Sequence, residues 1–310
     1  LESTEINEVI ESNIKLSTGV VSNGGNITLL AKDNIAMDAA GDITTLTTGK
    51  TIDLQADDAI SMVNGTIIES NRGNVRLTAL TDDITVGEIK AVNANIAVDA
   101  QVGNIFAVVS SNKNILANDL ILLAGNAIGE NDNYLDVSVT NIATQSGSGA
   151  TYVENDGVNV NLGGLSVLVQ RVKATGSTED SSTSTQNDFK AGDDIYLVAT
   201  SGNIVITANN ENALTQAKNI VLIAEQGDIT INCGGVDQGF FASESIKLIA
   251  EAGKITINST DANSAGLVAT KNILIDAKET VEDTDAILVI NAKITSKEGY
   301  ISLLADDSIT

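Results

Sequence analysis

The chain has 310 residues, and its 17 lysines and arginines against 41 acidic residues give a formal net charge of −24. Such a charge opposes binding to nucleic acid and to anionic membrane surfaces, and it favours solubility. Histidine, proline and tryptophan are absent. The missing histidine excludes a Ser/His/Asp triad, and the missing proline suits a chain that is nearly all β-ladder, since proline cannot donate to one.

Residues 1–129 are predicted to form regular coils of β-strand. A pattern in which Ile, Leu or Val alternates with other residues and ends in Ala begins at Ile27, Ile52, Val75, Ile96 and Leu120. Alternation places these side chains on one face of a strand. Ile14-Lys-Leu-Ser-Thr18 reads as a degenerate copy of this first strand. A second strand is predicted at Ile35, Ile60, Ile84, Ile105 and Ile128, and a third at Ile43, Ile67, Ile89 and Ile115.

Residues 130–191 interrupt the rhythm. The distance from Leu120 to Ile195 is 75 residues, which leaves room for three coils at the usual pitch. Strand-like stretches alternate there with glycine and polar residues, and the run 175–188 has no apolar residue. We therefore expect irregular coils with long insertions, and a long external loop at 175–188.

Residues 192–310 resume the regular repeat. The first strand recurs with spacings of 25, 26, 27 and 28 residues, at Ile195, Ile220, Ile246, Ile273 and Ile301. A second apolar pair follows eight or nine residues later, and a third group, at Leu214, Phe240 and Leu267, lies six residues before each following unit. The predicted interior ladder comprises those five isoleucines together with Leu197, Leu222, Leu248 and Leu303.

Three short strands for every 21–28 residues, separated by Gly, Asn or Asp, predict one turn of a three-sided coil. Stacked coils bury the apolar faces that a single coil leaves open. The predicted fold is all-β, a three-sided parallel β-helix of about 12 coils spaced by ~4.8 Å, continuous from end to end. The sequence has no initiator methionine, signal peptide or polar cap, so we expect a piece of a longer tandem array.

The outward positions of the first strand are unusually apolar, and a strand that is apolar on both faces is usually covered on both. The candidates for a lateral interface are Ile121, Leu123, Tyr196, Val198, Val221, Ile223, Ile249, Leu274 and Leu304. Two covers are open: the 130–191 insertion, or a neighbouring rod. Lysine at Val198, Ile223 and Ile249 together is expected to abolish lateral association.

Paired acids recur at corners, at Asp57-Asp58, Asp82-Asp83, Asp193-Asp194 and Asp306-Asp307. Carboxylate pairs serve glycoside hydrolysis, but Asp before a strand is typical of a turn. Acidic corners also offer the oxygen ligands that calcium takes, yet the Gly-Gly-x-Gly-x-Asp pattern of calcium-binding β-helices is missing. We expect no enzyme and no cofactor, with calcium as the minor alternative, and Cys233 as a small packed residue.

Repeats such as Gly25-Asn-Ile-Thr-Leu29 and Gly227-Asp-Ile-Thr-Ile231 resemble those of filamentous-haemagglutinin-like adhesins and giant repetitive bacterial surface proteins. The resemblance implies a right-handed β-helix, secretion, and a structural or adhesive role at the cell surface. The predicted function is a rod segment of an extracellular fibre, sheath or adhesin that contacts other copies of itself end to end and laterally. Cell-surface carbohydrate or a receptor is its further candidate partner, and no insertion into the membrane is expected. The alternative is a carbohydrate-binding or polysaccharide-degrading β-helix with its site near 175–188.

Overall fold

A computed structural model describes residues 12–109, 112–157, 159–162, 164–186, 189–207, 215–234, 239–259, 264–279 and 286–310, and within these ranges the regular structure is entirely β. The chain divides into two compact units. The first unit contains residues 1–138 and 165–185, and the second contains residues 139–164 and 186–310.

The strands up to residue 162 are β1 (Ile14–Leu16), β2 (Val20–Ser22), β3 (Ile27–Ala31), β4 (Ile35–Met37), β5 (Ile43–Thr45), β6 (Ile52–Ala56), β7 (Ile60–Met62), β8 (Ile67–Ser70), β9 (Val75–Ala79), β10 (Ile84–Val86), β11 (Glu88–Ala100), β12 (Ile105–Ala107), β13 (Ile115–Ala124), β14 (Leu135–Ser138), β15 (Asn141–Ser146), β16 (Thr151–Asn155) and β17 (Asn159–Leu162). The remaining strands are β18 (Leu168–Val172), β19 (Thr178–Ser182), β20 (Phe189–Lys190), β21 (Ile195–Ala199), β22 (Asn203–Thr207), β23 (Thr215–Ala217), β24 (Ile220–Ala224), β25 (Ile229–Cys233), β26 (Gly239–Ala242), β27 (Ile246–Ala250), β28 (Ile255–Ser259), β29 (Gly266–Ala269), β30 (Ile273–Ala277), β31 (Ile287–Asn291), β32 (Ile294–Ser296), β33 (Ile301–Ala305) and β34 (Ser308–Ile309).

In the first unit each regular coil gives one strand to each of three parallel ladders. On the first side β3, β6 and β9 stack in register, so Ile27, Ile52 and Val75 lie side by side. The second side is built from β1, β4, β7, β10 and β12. The third side begins with β2, β5 and β8. Except in β2, the inward side chains of these strands are buried, and each fully buried Ile or Leu contributes about 1.5–3 kcal/mol.

The second unit repeats this arrangement and contains the predicted interior ladder. Successive register partners along the first side are Ile195, Ile220, Ile246, Ile273 and Ile301, and beside them Leu197, Leu222, Leu248, Ile275 and Leu303. All of them except Ile301 and Leu303 are at most 1 % exposed. The parallel β-helix predicted from the repeat is therefore confirmed, and the described residues form about 11 turns.

Glycine is required at one class of corner because the coils approach each other there. A Cβ on Gly227 would lie 2.2 Å from the carbonyl oxygen of Gly202, and one on Gly253 would lie 2.6 Å from that of Gly227. Both distances are below any real contact, so a side chain would push adjacent coils apart. The glycines at these corners thus allow the coils to keep a uniform spacing.

One predicted strand belongs to a different side. Ile14 pairs with Ile35, so β1 is a second-side strand, and the expectation that it copies the first strand is wrong. Strands on all three sides carry the same apolar alternation. An isolated Ile-x-Leu therefore does not reveal its side until a neighbouring coil is placed against it.

The third side contains a one-residue error in the prediction. Ile68, and not Ile67, pairs with Ile43 and Ile89, and Ile68 is fully buried. A shift of one residue turns a strand side chain to the opposite face, and two adjacent isoleucines give no local basis for choosing between them. In the second unit Thr215 is the register partner of Phe240, whereas the predicted Leu214 lies outside the described residues.

The segment predicted as a long polar loop is partly a strand. β18 and β19 form an antiparallel hairpin in which Leu168 pairs with Ser182 and Val172 with Thr178. Residues 187 and 188 of the predicted loop lie outside the described residues. The hairpin belongs to the first unit, where β18 contacts β3 and β6. It was hidden in the sequence because β19 reads Thr-Glu-Asp-Ser-Ser, which lacks the apolar alternation of a half-buried strand.

Candidate functional site

The candidate lateral interface in the second unit consists of two rows of outward side chains on the first side, which we call the outer rows. Register pairing gives one row of Tyr196, Val221, Lys247, Leu274 and Ser302. The other row consists of Val198, Ile223, Ile249, Asp276 and Leu304. The structure thus brings seven of the nine predicted interface residues together on one face.

These outer rows differ in how far each residue is exposed. Tyr196, Val198, Val221, Ile223 and Leu274 are half-buried. Leu304 is 48 % exposed and Ile249 only 5 %, so Ile249 offers almost no surface in this structure. Two polar residues, Lys247 and Asp276, interrupt the rows. The prediction did not include them, although the alternation of the strands places both at outward positions.

Tyr152 adds an aromatic contact that the prediction did not include in the interface. Its ring stacks on that of Tyr196 with centroids 4.9 Å apart and planes 14° apart, because β16 pairs with β21 and sets the two residues opposite each other. Burial, together with the charges of Asp194 and Asp193, raises the pKa of Tyr196 above its ordinary value. The phenol therefore stays neutral, and the stacked pair extends the apolar surface.

In the first unit the same side carries a cover. Asn74 donates its Nδ2 to the carbonyl of Leu168 at 2.8 Å. The amide of Gln170 donates to Thr51 Oγ1 at 2.9 Å, and that of Val172 to Thr28 Oγ1 at 2.9 Å. Every second residue of β18 is thus hydrogen-bonded to a different coil, and three successive coils are contacted. The strand therefore runs along the stack of coils and not around it.

A buried ionic network fastens the hairpin to this side. Asp53, whose side chain is 0 % exposed, accepts two hydrogen bonds from Arg76, at 2.9 and 3.0 Å. It accepts a third, at 2.7 Å, from Nε of Arg171 on β18, and Arg171 also donates to Gln55 Oε1 at 2.9 Å. The carboxylate is therefore paired twice, which a fully buried charge requires.

Of the two covers left open by the sequence, the first unit uses its own inserted segment. Val167 and Val169 of that segment are fully buried, and so is the predicted interface residue Ile121, while Leu123 is half-buried. In the described part of the second unit the side chains of the outer rows, apart from Ile249, are at least partly exposed. The candidate interface is consequently reduced to the outer rows of the second unit.

The paired acids serve the corners. Asp194 Oδ1 accepts the amide of Asn219 at 3.1 Å, and Asn219 Oδ1 accepts that of Ser245 at 3.1 Å, so one coil caps the next. Asp83 Oδ1 accepts the amide of Asn104 in the same way at 2.7 Å. The first members of two pairs, Asp57 and Asp193, form ion pairs with lysines. These contacts are those of turn residues that fix the register between coils.

Among the described residues, no group of three or more acidic, cysteine or histidine side chains is arranged to hold a metal ion. Cys233 is buried, and burial raises the pKa of its thiol to about 11. The thiolate is the nucleophilic form, so this cysteine is chemically quiet at neutral pH.

Comparison of the chain with protein-family models, with curated proteins and with solved structures finds no significant match. None of the described residues forms a helix long and apolar enough to cross a membrane.

Proposed function

We propose that this chain is a structural rod segment of an extracellular fibre, sheath or giant surface adhesin, and that its role is mechanical rather than catalytic. The observation that carries the proposal is the contrast between the two units: the first side is covered in one and partly exposed and apolar in the other. A strand with two apolar faces is usually covered on both. The occupant we propose for the outer rows is the same face of a second copy.

The mechanical part of the role follows from the direction of the hydrogen bonds. Within each unit the backbone bonds join one coil to the next, as in the bond from the amide of Ile195 to the carbonyl of Asn219 at 2.9 Å. These hydrogen bonds are parallel to the axis of the stack, so a tensile force along that axis is shared by all the bonds between two adjacent coils. End-to-end association would reuse this geometry, because each coil offers the next the same strand positions.

The extracellular location is supported by the resemblance of the Gly-(Asn/Asp)-Ile-x-(Leu/Ile) repeats to those of filamentous-haemagglutinin-like adhesins. The strong negative charge agrees with a fibre that stays soluble until specific faces meet. Lateral contact must then overcome like-charge repulsion, and association should strengthen as added salt screens that repulsion.

The test replaces three half-buried residues of the outer rows, in the variant Val198→Lys, Ile223→Lys, Leu274→Lys. The matched control is Val205→Lys, Thr230→Lys, Thr256→Lys, which adds the same charge at outward register positions on the second side. Sedimentation and negative-stain electron microscopy should find lateral bundles with the wild type and the control, and single rods with the first variant. Bundles that persist in the first variant, with its β-structure intact by circular dichroism, would place the lateral contact elsewhere.

A further inference from the structure

A groove of about 550 Å³ runs across the third side of the second unit. Its floor is a row of outward side chains from stacked strands: Gln145 pairs with Lys190, Lys190 with Gln216, Gln216 with Phe241, and Phe241 with Val268. With strands about 4.8 Å apart, these five residues span roughly 20 Å. We call this feature the third-side groove.

One wall of the third-side groove is formed by glycines at one end and carries lysines at the other. Gly147 and Gly192 line the first of these ends, and a side chain is excluded at Gly192 because its Cβ would lie 2.2 Å from the carbonyl oxygen of Gly147. Further along, the same corner carries the exposed Lys218 and Lys297. The groove is thus open from one side and flanked by ammonium groups.

The charged side chains that line the groove are all basic, although the chain as a whole is acidic. The lining of the groove contains three lysines, Lys190, Lys218 and Lys297, and no carboxylate among the described residues, whereas the chain has 41 acidic residues against 17 basic ones. Lys218 forms an ion pair with Asp193 just outside the groove, at 3.3 Å, and this contact raises the pKa of its ammonium group. A concave site lined by basic side chains on an acidic protein concentrates anions locally.

The neutral residues indicate what kind of anion fits. Gln145 and Gln216 are exposed amides that both donate and accept hydrogen bonds, which suits hydroxyl groups. Phe241 is half-buried and forms an apolar platform with Val268 beside it. A site with amides, ammonium groups and an aromatic platform in one line suits a polyhydroxylated ring that also carries a negative charge.

Two other polymers fit less well. A peptide strand binds a sheet through an open edge, but the third-side groove lies on the face of a sheet whose ladder already uses its backbone groups. Duplex nucleic acid carries a charge every ~1.7 Å, which is about 12 charges over roughly 20 Å and far more than three lysines can neutralise.

We propose that the third-side groove binds a strand of acidic polysaccharide that lies along the row of Gln145, Lys190, Gln216 and Phe241. The lysines bind its carboxylate or sulfate groups, the glutamines its hydroxyls, and Phe241 the apolar face of a sugar ring. This interaction does not depend on the lateral contact of the outer rows. It locates carbohydrate binding in the second unit, and not near residues 175–188, where the sequence had placed the alternative.

The test measures binding to the full chain by calorimetry at low salt, with polygalacturonate as the carboxylated probe, chondroitin sulfate as the sulfated probe and dextran as the neutral one. At least one acidic polymer should bind and dextran should not. The variant Lys190→Ala, Lys218→Ala, Lys297→Ala should weaken binding about tenfold or more, since exposed charges contribute a few tenths to 1 kcal/mol each. The control Lys247→Ala, Lys254→Ala, Lys293→Ala removes the same charge from the same unit and should change affinity less than about twofold.

A second variant separates sugar recognition from simple charge. Phe241→Ala should weaken binding of the acidic polysaccharide severalfold, and polyglutamate, which has charge but no sugar ring, should bind the wild type more weakly. The proposal is overturned if neither acidic polysaccharide binds, if both lysine variants lose affinity equally, or if polyglutamate binds as tightly as the sugars. Circular dichroism and hydrogen exchange of the ladder amides establish that each variant is folded.

Discussion

The hairpin of the first unit gives the sharpest stability prediction, through the substitution Arg171→Met. This change keeps most of the apolar stem of the side chain and removes two hydrogen bonds, to Asp53 at 2.7 Å and to Gln55 at 2.9 Å. Removing one partner of a buried ion pair costs about 3–5 kcal/mol when the other charge is left alone. Asp53 is not left alone, because Arg76 still donates two bonds to it. The expected cost is therefore nearer that of one charged hydrogen bond, about 2 kcal/mol.

The assay follows from where the hairpin amides donate. Gln170 and Val172 give their backbone amides to Thr51 and Thr28 of the coils, so these amides exchange only when the hairpin lifts. A cost of about 2 kcal/mol raises the population of the lifted state roughly 30-fold, and exchange of both amides should accelerate by that factor. Ladder amides such as that of Ile60, which donates to Asp83, should keep their rates.

The matched control is Lys173→Met, on the same hairpin. Lys173 pairs with Glu179, but both side chains are nearly half exposed, at 46 % and 48 %. Exposed pairs contribute about 1 kcal/mol or less, so exchange at Gln170 should change less than about fivefold. Unchanged exchange in Arg171→Met would mean that the ionic network does not hold the hairpin. Equal acceleration at Ile60 would mean that the hairpin does not open as a separate unit.

Three further predictions concern the coils themselves. Gly227→Ala should destabilise the protein by about 1–3 kcal/mol in urea unfolding, because its Cβ would lie 2.2 Å from the carbonyl oxygen of Gly202. The control Gly24→Ala, whose Cβ would have no atom within 4 Å, should change stability by less than about 0.5 kcal/mol. Equal effects of the two substitutions would refute the steric role of Gly227. Lys278 has its pKa raised above 10.5 by its hydrogen bond to Glu251, so its stabilising effect is complete below the unfolded pKa and is lost as pH rises through the folded one. Lys278→Met should therefore flatten the alkaline fall in stability that begins as pH approaches 10.5, and leave stability below about pH 9 without a new slope; an unchanged alkaline slope would contradict this. With a thiol pKa of about 11 against an ordinary 9.0, Cys233 is roughly 0.1 % thiolate at pH 8 instead of roughly 10 %, so alkylation by iodoacetamide should be at least about 100-fold slower in the folded chain than in denaturant.

The interior of the β-helix could be predicted from the sequence because it is a matter of local alternation and period. Ile195 and Ile220 are register partners since each begins the same five-residue pattern, and stacking then follows from the need to bury that face. The same reasoning failed at Ile14 and at Ile67, where the pattern was too short to mark its side or its inward residue. Alternation alone predicts a strand, but the side of the coil to which the strand belongs, and which of its residues point inward, depend on its pairing with a neighbouring coil.

The cover of the first unit could not be predicted for a different reason. The bond between Asp53 and Arg171 joins residues 118 positions apart, and nothing in either local sequence refers to the other. Asp53 occupies an outward position, where a carboxylate reads as solvent-exposed, yet it is fully buried. A charged residue at an outward position is therefore either exposed to solvent or covered by a segment that carries the opposite charge, and the local sequence does not distinguish the two cases.

The two units apply one coil geometry to two kinds of contact, and the second residue of the first-side strand decides which. In the first unit this position holds Asp53, whose carboxylate binds Arg171 of the hairpin. In the second unit the row at the equivalent position holds Tyr196, Val221, Lys247, Leu274 and Ser302. None of these side chains is a carboxylate, and Lys247 would repel a guanidinium group. A hairpin like that of the first unit therefore has no ion-pair partner in this row, and the row is better suited to an apolar partner, such as the same face of another copy.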